Sequence, residues 1–150
     1  MTIYHSLIQS HVNYCLMTWG AWEPRGNKVL LQRLQAVCNK FFRLIYNMDR
    51  VDSVRSILKS NNVMNVNQNY DFQVGQIMHK AVYNDMPITL QEILTLQNDF
   101  FFFKNSRIKQ THKSLFFAGP KIWNNLPPQL VQESNFKKFK TCLRQFVLDN

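Results

Sequence analysis

The sequence predicts a mainly α-helical fold: one compact multi-helix domain over residues 1–150, with a short extended or β-hairpin element around residues 100–118. Three observations lead to this prediction. Apolar residues recur at three- and four-residue steps along most of the chain, β-type alternation is missing over any useful length, and Pro or Gly separates the periodic segments. The hydrophobic content of 45% and the length of 150 residues suit a single domain, which buries about 70% of its unfolded surface.

The first predicted helix covers residues 3–19, with Thr2 as its N-cap and Gly20 at its end. Its buried stripe consists of Tyr4, Leu7, Ile8, Val12, Cys15, Leu16 and Trp19. His11 and Cys15 stand one turn apart, so they either bind a metal ion or serve packing and solvation. Packing is favoured, because no further ligand follows at the spacing of a metal site.

The second predicted helix covers residues 27–47 and separates an apolar from a cationic face. The apolar face consists of Leu30, Leu34, Val37, Cys38, Phe41, Phe42, Leu44 and Ile45. The opposite face consists of Lys28, Gln32, Arg33, Asn39, Lys40 and Arg43. No Asp or Glu lies among these cations to neutralise them through i,i+4 pairs. The cationic face therefore either contacts a phosphate backbone or remains an ordinary solvated surface.

Three further helices are predicted in the middle of the chain. The first begins at Asp52 as its N-cap and ends at Asn61 and Asn62 in left-handed backbone geometry. The second covers residues 67–84, and its inward-facing residues are Tyr70, Val74, Ile77, Met78, Ala81 and Val82. The third is a brief amphipathic helix at residues 88–96.

Helical periodicity is lost where two aromatic runs, residues 100–103 and 115–117, flank a basic stretch. The four Phe residues of the first run form either a buried strand or extended segment, or a stacking surface for nucleobases. Burial is favoured, because four Phe exposed together would promote aggregation. The basic stretch is expected to form a hairpin or loop, and its cationic residues are Lys104, Arg107, Lys109, His112 and Lys113.

Gly and Pro residues enclose one short predicted helical turn near the end of the chain. Gly119 is expected to adopt a backbone conformation that other residues disfavour, and Pro120 to occupy the first helical position. Pro127 and Pro128 end the turn, because proline cannot continue a helix. Trp123 would then point into the core.

The last predicted helix begins after Ser134, which serves as its N-cap. Its buried side consists of Phe136, Phe139, Cys142, Leu143, Phe146 and Val147. The cations that flank or oppose this side are Lys137, Lys138, Lys140 and Arg144. Such a helix docks on the core through its apolar side and exposes its cations.

The net charge of +9 is distributed unevenly, with +7 in residues 101–150 and +2 in residues 1–100. Clustered Lys and Arg favour a polyanionic partner such as nucleic acid, because they displace counterions from phosphate; the alternative is that the charge serves solubility alone. The candidate nucleic-acid-binding residues are Lys28, Arg33, Lys40, Arg43, Lys104, Arg107, Lys109, Lys113, Lys121, Lys137 and Lys138.

Motifs for catalysis, cofactors and metals are missing from the sequence. The four glycines have no P-loop spacing, and the nine carboxylates include no adjacent pair to share two catalytic metal ions. Three widely spaced cysteines suggest neither a disulfide framework nor a zinc site. The first residues lack the charged region and the long apolar run of a signal peptide, and no apolar run approaches the roughly 20 residues that cross a bilayer. The chain is therefore expected to be no enzyme on its own, to use no cofactor, and to lie inside the cell, in nucleus or cytoplasm.

Two parts of the sequence resemble the C-terminal region of the proteins of one polymerase family. The run Tyr4-His5-Ser6-Leu7-Ile8-Gln9-Ser10-His11-Val12-Asn13-Tyr14-Cys15, with Trp19-Gly20 after it, resembles the segment after the polymerase core in LINE-type (non-LTR, jockey-like) retrotransposon reverse transcriptases. The residues 119–127 and 136–140 are similar to the G-P-K-x-W-N-x-L-P and F-K motifs that close such proteins. The structural residues of these motifs are Trp19, Gly20, Gly119, Pro120, Trp123, Leu126 and Pro127.

This resemblance implies a thumb and post-thumb region that holds template and primer, as RNA or single-stranded or hybrid nucleic acid, beside an upstream polymerase core. The family's catalytic aspartate pair would lie before Met1, and no Asp-Asp occurs in this chain. The expectation is a catalytically inactive fragment that retains a nucleic-acid-binding surface. The alternative is a structural or interaction fragment whose helices packed on the missing core, which predicts that Tyr14, Trp19 or Trp22 is exposed.

Overall fold

The computed structural model describes residues 4–14, 16–19, 28–83, 86–87, 96–97, 100–101 and 115–149. Two short strands, β1 (Leu96–Gln97) and β2 (Phe100–Phe101), pair antiparallel. The prediction of a mainly α-helical fold is confirmed. The helices are the π-helix Tyr4–Gln9, α1 (Ser10–Asn13), α2 (Leu16–Trp19), α3 (Lys28–Ile45), α4 (Arg55–Ser60), α5 (Val66–Val82), α6 (Leu115–Asn124), α7 (Pro128–Val131) and α8 (Phe136–Asp149).

Helix α5 is the element against which most of the others pack. It begins with a capping box: the Asn65 side chain accepts from the backbone N–H of Gln68, and the Gln68 side chain accepts from the backbone N–H of Asn65. It packs against α2, α3, α6 and α8. Tyr70, Val74 and Met78 are buried in these contacts, as their helical spacing predicts.

The main core lies where α6 and α8 pack against α5. The predicted inward position of Trp123 is confirmed, since its side chain is fully buried. Large side chains buried beside it are Tyr70, Met78, Phe139 and Leu143. No helix in the described part of the chain is long and apolar enough to cross a bilayer.

The N-terminal segment is not the single helix that its periodicity predicts. The π-helix is followed by short α-helical turns, and Tyr14 leaves helical geometry with a ψ of 116°. A π-helix bonds residue i to residue i+5 and thereby rotates the predicted stripe. As a result Tyr4, Val12 and Leu16 are buried, whereas Leu7 is exposed.

Helix α3 has nearly the predicted bounds, but its buried stripe is narrower than the sequence indicates. Leu31, Cys38 and Phe42 are buried. Val37 is 57% exposed and Leu44 is 80% exposed. The reason is that one side of α3 packs on α5 while the other side faces solvent.

Two asparagines with left-handed backbone end α3 and α4. Asn47 has a φ of 48° and Asn62 a φ of 52°. After α4, the backbone N–H of Val63 donates to the Leu58 carbonyl at 2.9 Å, which is the hydrogen bond of a Schellman motif. The predicted left-handed end at Asn62 is therefore confirmed.

The predicted N-cap of α4 is wrong. The helix begins after Val54, which provides no side-chain cap. Asp52 lies two residues before the N-cap position, and its Oδ2 accepts from the backbone N–H of Asp49 at 3.1 Å. The carboxylate thus stabilises the turn before α4, and at the helix start the Ser53 hydroxyl accepts from the backbone N–H of Arg55 at 3.4 Å.

The predicted N-cap of α8 is wrong by one residue. Asn135 caps the helix, because its Oδ1 accepts from the backbone N–H groups of Lys137 and Lys138 at 3.0 and 3.2 Å. Ser134 is exposed and lies one residue outside the cap position. Cys142, predicted to be buried, is exposed at the edge of the apolar side.

The prediction of one short helical turn between Gly119 and Pro127 is wrong, because helix α6 is longer than one turn. It begins at Leu115 and continues through Gly119 and Pro120. The described chain contains no glycine with positive φ. A Cβ on Gly119 would lie 2.4 Å from Sδ of Met78. Glycine is therefore required by the close approach of α6 to α5, and packing on α5 carries the helix through the proline.

The predicted stop at Pro127 and Pro128 is confirmed. Helix α6 ends at Asn124, and Pro128 is the first residue of α7, a position where proline's missing N–H costs no helical hydrogen bond. Leu126, between the two helices, is buried in the main core.

Only β2 lies within the range of 100–118 that was predicted for the extended element. Strand β1 lies before this range and includes Leu96, which the sequence assigned to the brief helix at 88–96. Leu96 pairs with Phe101, and Gln97 pairs with Phe100. The basic stretch within residues 102–114, and most of the brief helix predicted at 88–96, lie outside the described residues. The second aromatic run is helical and not extended, because α6 begins at Leu115.

Candidate nucleic-acid interface

Three of the candidate cations have described side chains on α3. Arg33 and Lys40 are exposed and, two turns apart, share the outer face of the helix. Arg43 is half-buried, and its Nη2 and Nε donate to the Asp52 carbonyl oxygen at 3.0 and 3.3 Å. Arg43 thus holds the turn after α3, and Arg33 and Lys40 are the exposed cations of this face.

Helix α8 carries cations on both flanks of its buried side. At 100° per residue, Lys137, Lys140 and Arg144 share one flank, and Lys138 lies on the other. All four side chains are exposed. With a rise of about 1.5 Å per residue, the first three form a row about 10 Å long. We call this row the α8 cation row.

The other candidate residues do not join this row in the described structure. Lys121 is exposed on α6. The structure describes no side chain for seven predicted residues, which are Lys28, Lys104, Arg107, Lys109, Lys113, Trp19 and Gly20. Of these, Lys28 and Trp19 have a described backbone, at the start of α3 and at the end of α2.

A polar cleft of about 320 Å³ opens between the N-terminal segment, the turn after α4, helix α5 and helix α8. Its volume is within the range of about 300–1,000 Å³ that is common for small-ligand sites. Lys140 and Arg144 of the α8 cation row form one side. Six carboxamide side chains also line it, and these are Gln9, Asn13, Asn62, Asn69, Gln73 and Gln76.

Helix α5 supplies one wall of the cleft. Asn69, Phe72, Gln73 and Gln76 share a face, because they lie three, four and seven residues apart. Nε2 of Gln76 donates to the Phe72 carbonyl oxygen at 3.1 Å, which orients that amide. No hydrogen bond joins the Gln73 side chain to another described residue. Its amide is therefore available to a ligand.

The N-terminal segment supplies the facing wall. Nδ2 of the buried Asn69 donates to Oδ1 of Asn13, which links α5 to α1. The ring of His5 makes a hydrogen bond with Oε1 of Gln9 within the π-helix. These contacts fix the two walls relative to each other and hold several amides in set orientations.

The cleft is electrostatically positive. Nη2 of Arg144 donates to the Asn62 carbonyl oxygen at 3.2 Å, so its guanidinium is held beside the turn after α4. None of the described residues that line the cleft is Asp or Glu. Asp71 lies on the opposite side of α5, and burial raises the pKa of its carboxyl to about 6. An anionic ligand therefore meets cations and amides without a facing carboxylate.

The buried aromatic cluster around Trp123 serves packing. Its ring centroid lies 5.8 Å from that of Phe139 and 6.3 Å from that of His79. His79 is buried, and its Nε2 donates to the Glu133 carbonyl oxygen at 2.8 Å. This histidine connects α5 to the turn before α8 and has no access to a solvent-borne substrate.

The sequence did not reveal the cleft. Its amides come from two segments far apart in the chain, residues 9–13 and 62–76, and single Asn or Gln residues carry no motif. The i,i+4 spacing of Lys140 and Arg144 was the available signal, since it places both cations on one flank of α8.

The described residues contain no group of three or more His, Cys, Asp or Glu side chains that could hold a metal ion. Cys38 is buried, and burial raises the pKa of its thiol and so disfavours the thiolate that metals bind. Comparisons of the chain with known protein families, with curated proteins and with solved structures find no match.

Proposed function

We propose that this chain binds single-stranded or hybrid nucleic acid through the α8 cation row and the outer face of α3. It would do so as a catalytically inactive C-terminal fragment of a non-LTR retrotransposon reverse transcriptase. The observation that carries the proposal is the α8 cation row itself, three cations aligned along one flank beside a cleft whose described lining residues include no carboxylate.

The electrostatics of both helices support a phosphate ligand. Helix α3 contains no Asp or Glu, and α8 contains only Asp149, at its C-terminal end. Cations without acidic neighbours at i,i+4 keep their charge available for an external partner. Lys and Arg that contact phosphates release condensed counterions, which is the main driving force of sequence-independent binding.

The sequence likeness supports the same class of ligand. The runs at residues 4–20 and 119–127 resemble segments that accompany template and primer in the retrotransposon enzymes. Polymerisation needs paired carboxylates for two metal ions, and no adjacent pair occurs in this chain. Binding without nucleotide addition is therefore the activity that we assign.

Charge reversal tests this proposal. The double variant Lys137→Glu and Lys140→Glu should weaken binding to labelled single-stranded RNA at least tenfold in a fluorescence anisotropy titration. The dependence of log K on log salt should become shallower by about 0.7 for each lost phosphate contact.

The matched control is Arg50→Glu with Arg55→Glu, which changes the net charge equally at exposed cations outside the proposed interface. An equal loss of affinity in the control would show that total charge, and not the α8 cation row, determines binding.

A second candidate function is protein interaction, favoured by exposed apolar side chains. Val37 and Leu44 lie together on the outer face of α3, Val51 is 94% exposed and Tyr14 is 78% exposed. Such residues suit a surface that packs on another polypeptide. Light scattering separates the two functions: association through Val37 and Leu44 should persist in high salt and disappear in Leu44→Gln, whereas nucleic-acid binding weakens with salt.

A further inference from the structure

We infer that the polar cleft holds one unpaired nucleobase of the bound strand, an inference that rests on the proposed function. A carboxamide offers a donor and an acceptor side by side, which is the pattern that the edges of nucleobases present. Gln73 has such an amide available, and Asn69 and Gln76 are oriented next to it. The cleft therefore has the chemistry to read a base edge as well as the charge to hold its phosphate.

The cleft also offers a face for stacking. Phe72 is half-buried in the α5 wall, one turn from Gln76 and adjacent in sequence to Gln73. Aromatic side chains that stack on bases of single strands contribute about 1–3 kcal/mol per base. A base that enters the cleft can thus meet an aromatic ring and an amide of the same helix.

The position of the cleft fits a strand that follows the α8 cation row. Lys140 and Arg144 belong both to the row and to the cleft, and Lys137 continues the row away from it. Phosphates along the row place the sugar and base of a neighbouring nucleotide at the cleft mouth. Adenine is the base we expect to be favoured, because Asn and Gln pair with its N6 and N7 edge.

The test compares two polyanions with the same number of phosphates. One is an oligodeoxyadenylate about 12 nucleotides long, within the site sizes of single-strand-binding folds, and the other is an abasic phosphodiester of equal length. Anisotropy titrations with the full chain should give tighter binding of the base-bearing strand by about 5- to 150-fold. Equal binding of both strands would overturn the base site and leave the proposed function intact. Binding of neither would overturn the proposed function, and the base site with it.

The variant Gln73→Ala should remove most of the preference for the base-bearing strand while leaving the affinity for the abasic strand unchanged. The control Gln145→Ala removes an exposed glutamine on the other flank of α8 and should keep the preference. Persistence of the full preference in Gln73→Ala would overturn the assignment. Polyglutamate that displaces the base-bearing strand from the wild-type chain, but not from Gln73→Ala, would identify an acidic peptide as the ligand and would also overturn it.

Discussion

Gly119 of α6 packs directly against the Met78 side chain of α5. The Met78 side chain is fully buried, so it has little room to move when a methyl group is added at position 119. We expect Gly119→Ala to lower the free energy of unfolding by about 1–3 kcal/mol, as overpacking of a core does. This loss would occur although alanine favours a helix over glycine by about 1 kcal/mol.

Urea denaturation of a double-mutant cycle with Met78→Ala checks the cause. If the methyl group collides with Met78, Gly119→Ala should become neutral or stabilising once that side chain is shortened, with a coupling energy of about 1–3 kcal/mol. Additive effects of the two substitutions would contradict this explanation.

Asp71 makes stability depend on pH. Burial raises the pKa of its carboxyl from 3.8 to about 6. Between about pH 4 and pH 6 the folded chain therefore holds more protons than the unfolded chain, and the free energy of unfolding falls as pH rises through this window. The contribution of Asp71 to the free energy of unfolding is therefore fully present below about pH 4 and lost above about pH 6.

The substitution Asp71→Asn should abolish this fall, because asparagine does not titrate. At about pH 8 the variant should be more stable relative to wild type than at about pH 4, by about 1–3 kcal/mol in urea denaturation. Asp49→Asn, at an exposed carboxylate, is the control and should keep the wild-type profile. A pH profile of Asp71→Asn that follows wild type would contradict the assignment.

At the scale of the element, the N-terminus of α8 gives the clearest test of local structure. Asn135 accepts two backbone hydrogen bonds there, so Asn135→Ala should cost about 1 kcal/mol, with a range of about 0.5–2. Ser134→Ala is the matched control and should change stability by less than about 0.5 kcal/mol. Thermal denaturation followed by circular dichroism measures both, and the reverse order of effects would restore Ser134 as the cap.

Helix positions could be predicted from the sequence because apolar periodicity and helix-ending residues act locally. The bounds of α3 and α5, the end at Asn62 and the stop at Pro127 follow from such local signals. The course of α6 could not be predicted. Its continuation through Pro120 depends on packing against α5. Contacts with a helix that lies far away in the sequence cannot be predicted from the residues around Pro120.

At the scale of the molecule, the candidate site was only partly predictable. The sequence identifies Lys137 and Lys138 as cations, but the direction of each side chain depends on which flank of α8 packs on α5. The cleft forms only where three segments of the chain meet, and no sequence pattern predicts that they meet. Charge and composition thus lead to the proposal of a polyanionic ligand, whereas the proposed site for it depends on tertiary structure.

The proposed binding function is tested most directly by titrating a labelled single-stranded RNA with the wild-type chain over a series of salt concentrations. Contacts from the α8 cation row and from Arg33 and Lys40 should give a dissociation constant below about 10⁻⁴ M near 0.1 M salt. The logarithm of the association constant should fall linearly with that of salt, with a slope of about −2 to −4. Binding that is absent at this concentration, or unchanged by salt, would contradict a phosphate-binding surface on this chain.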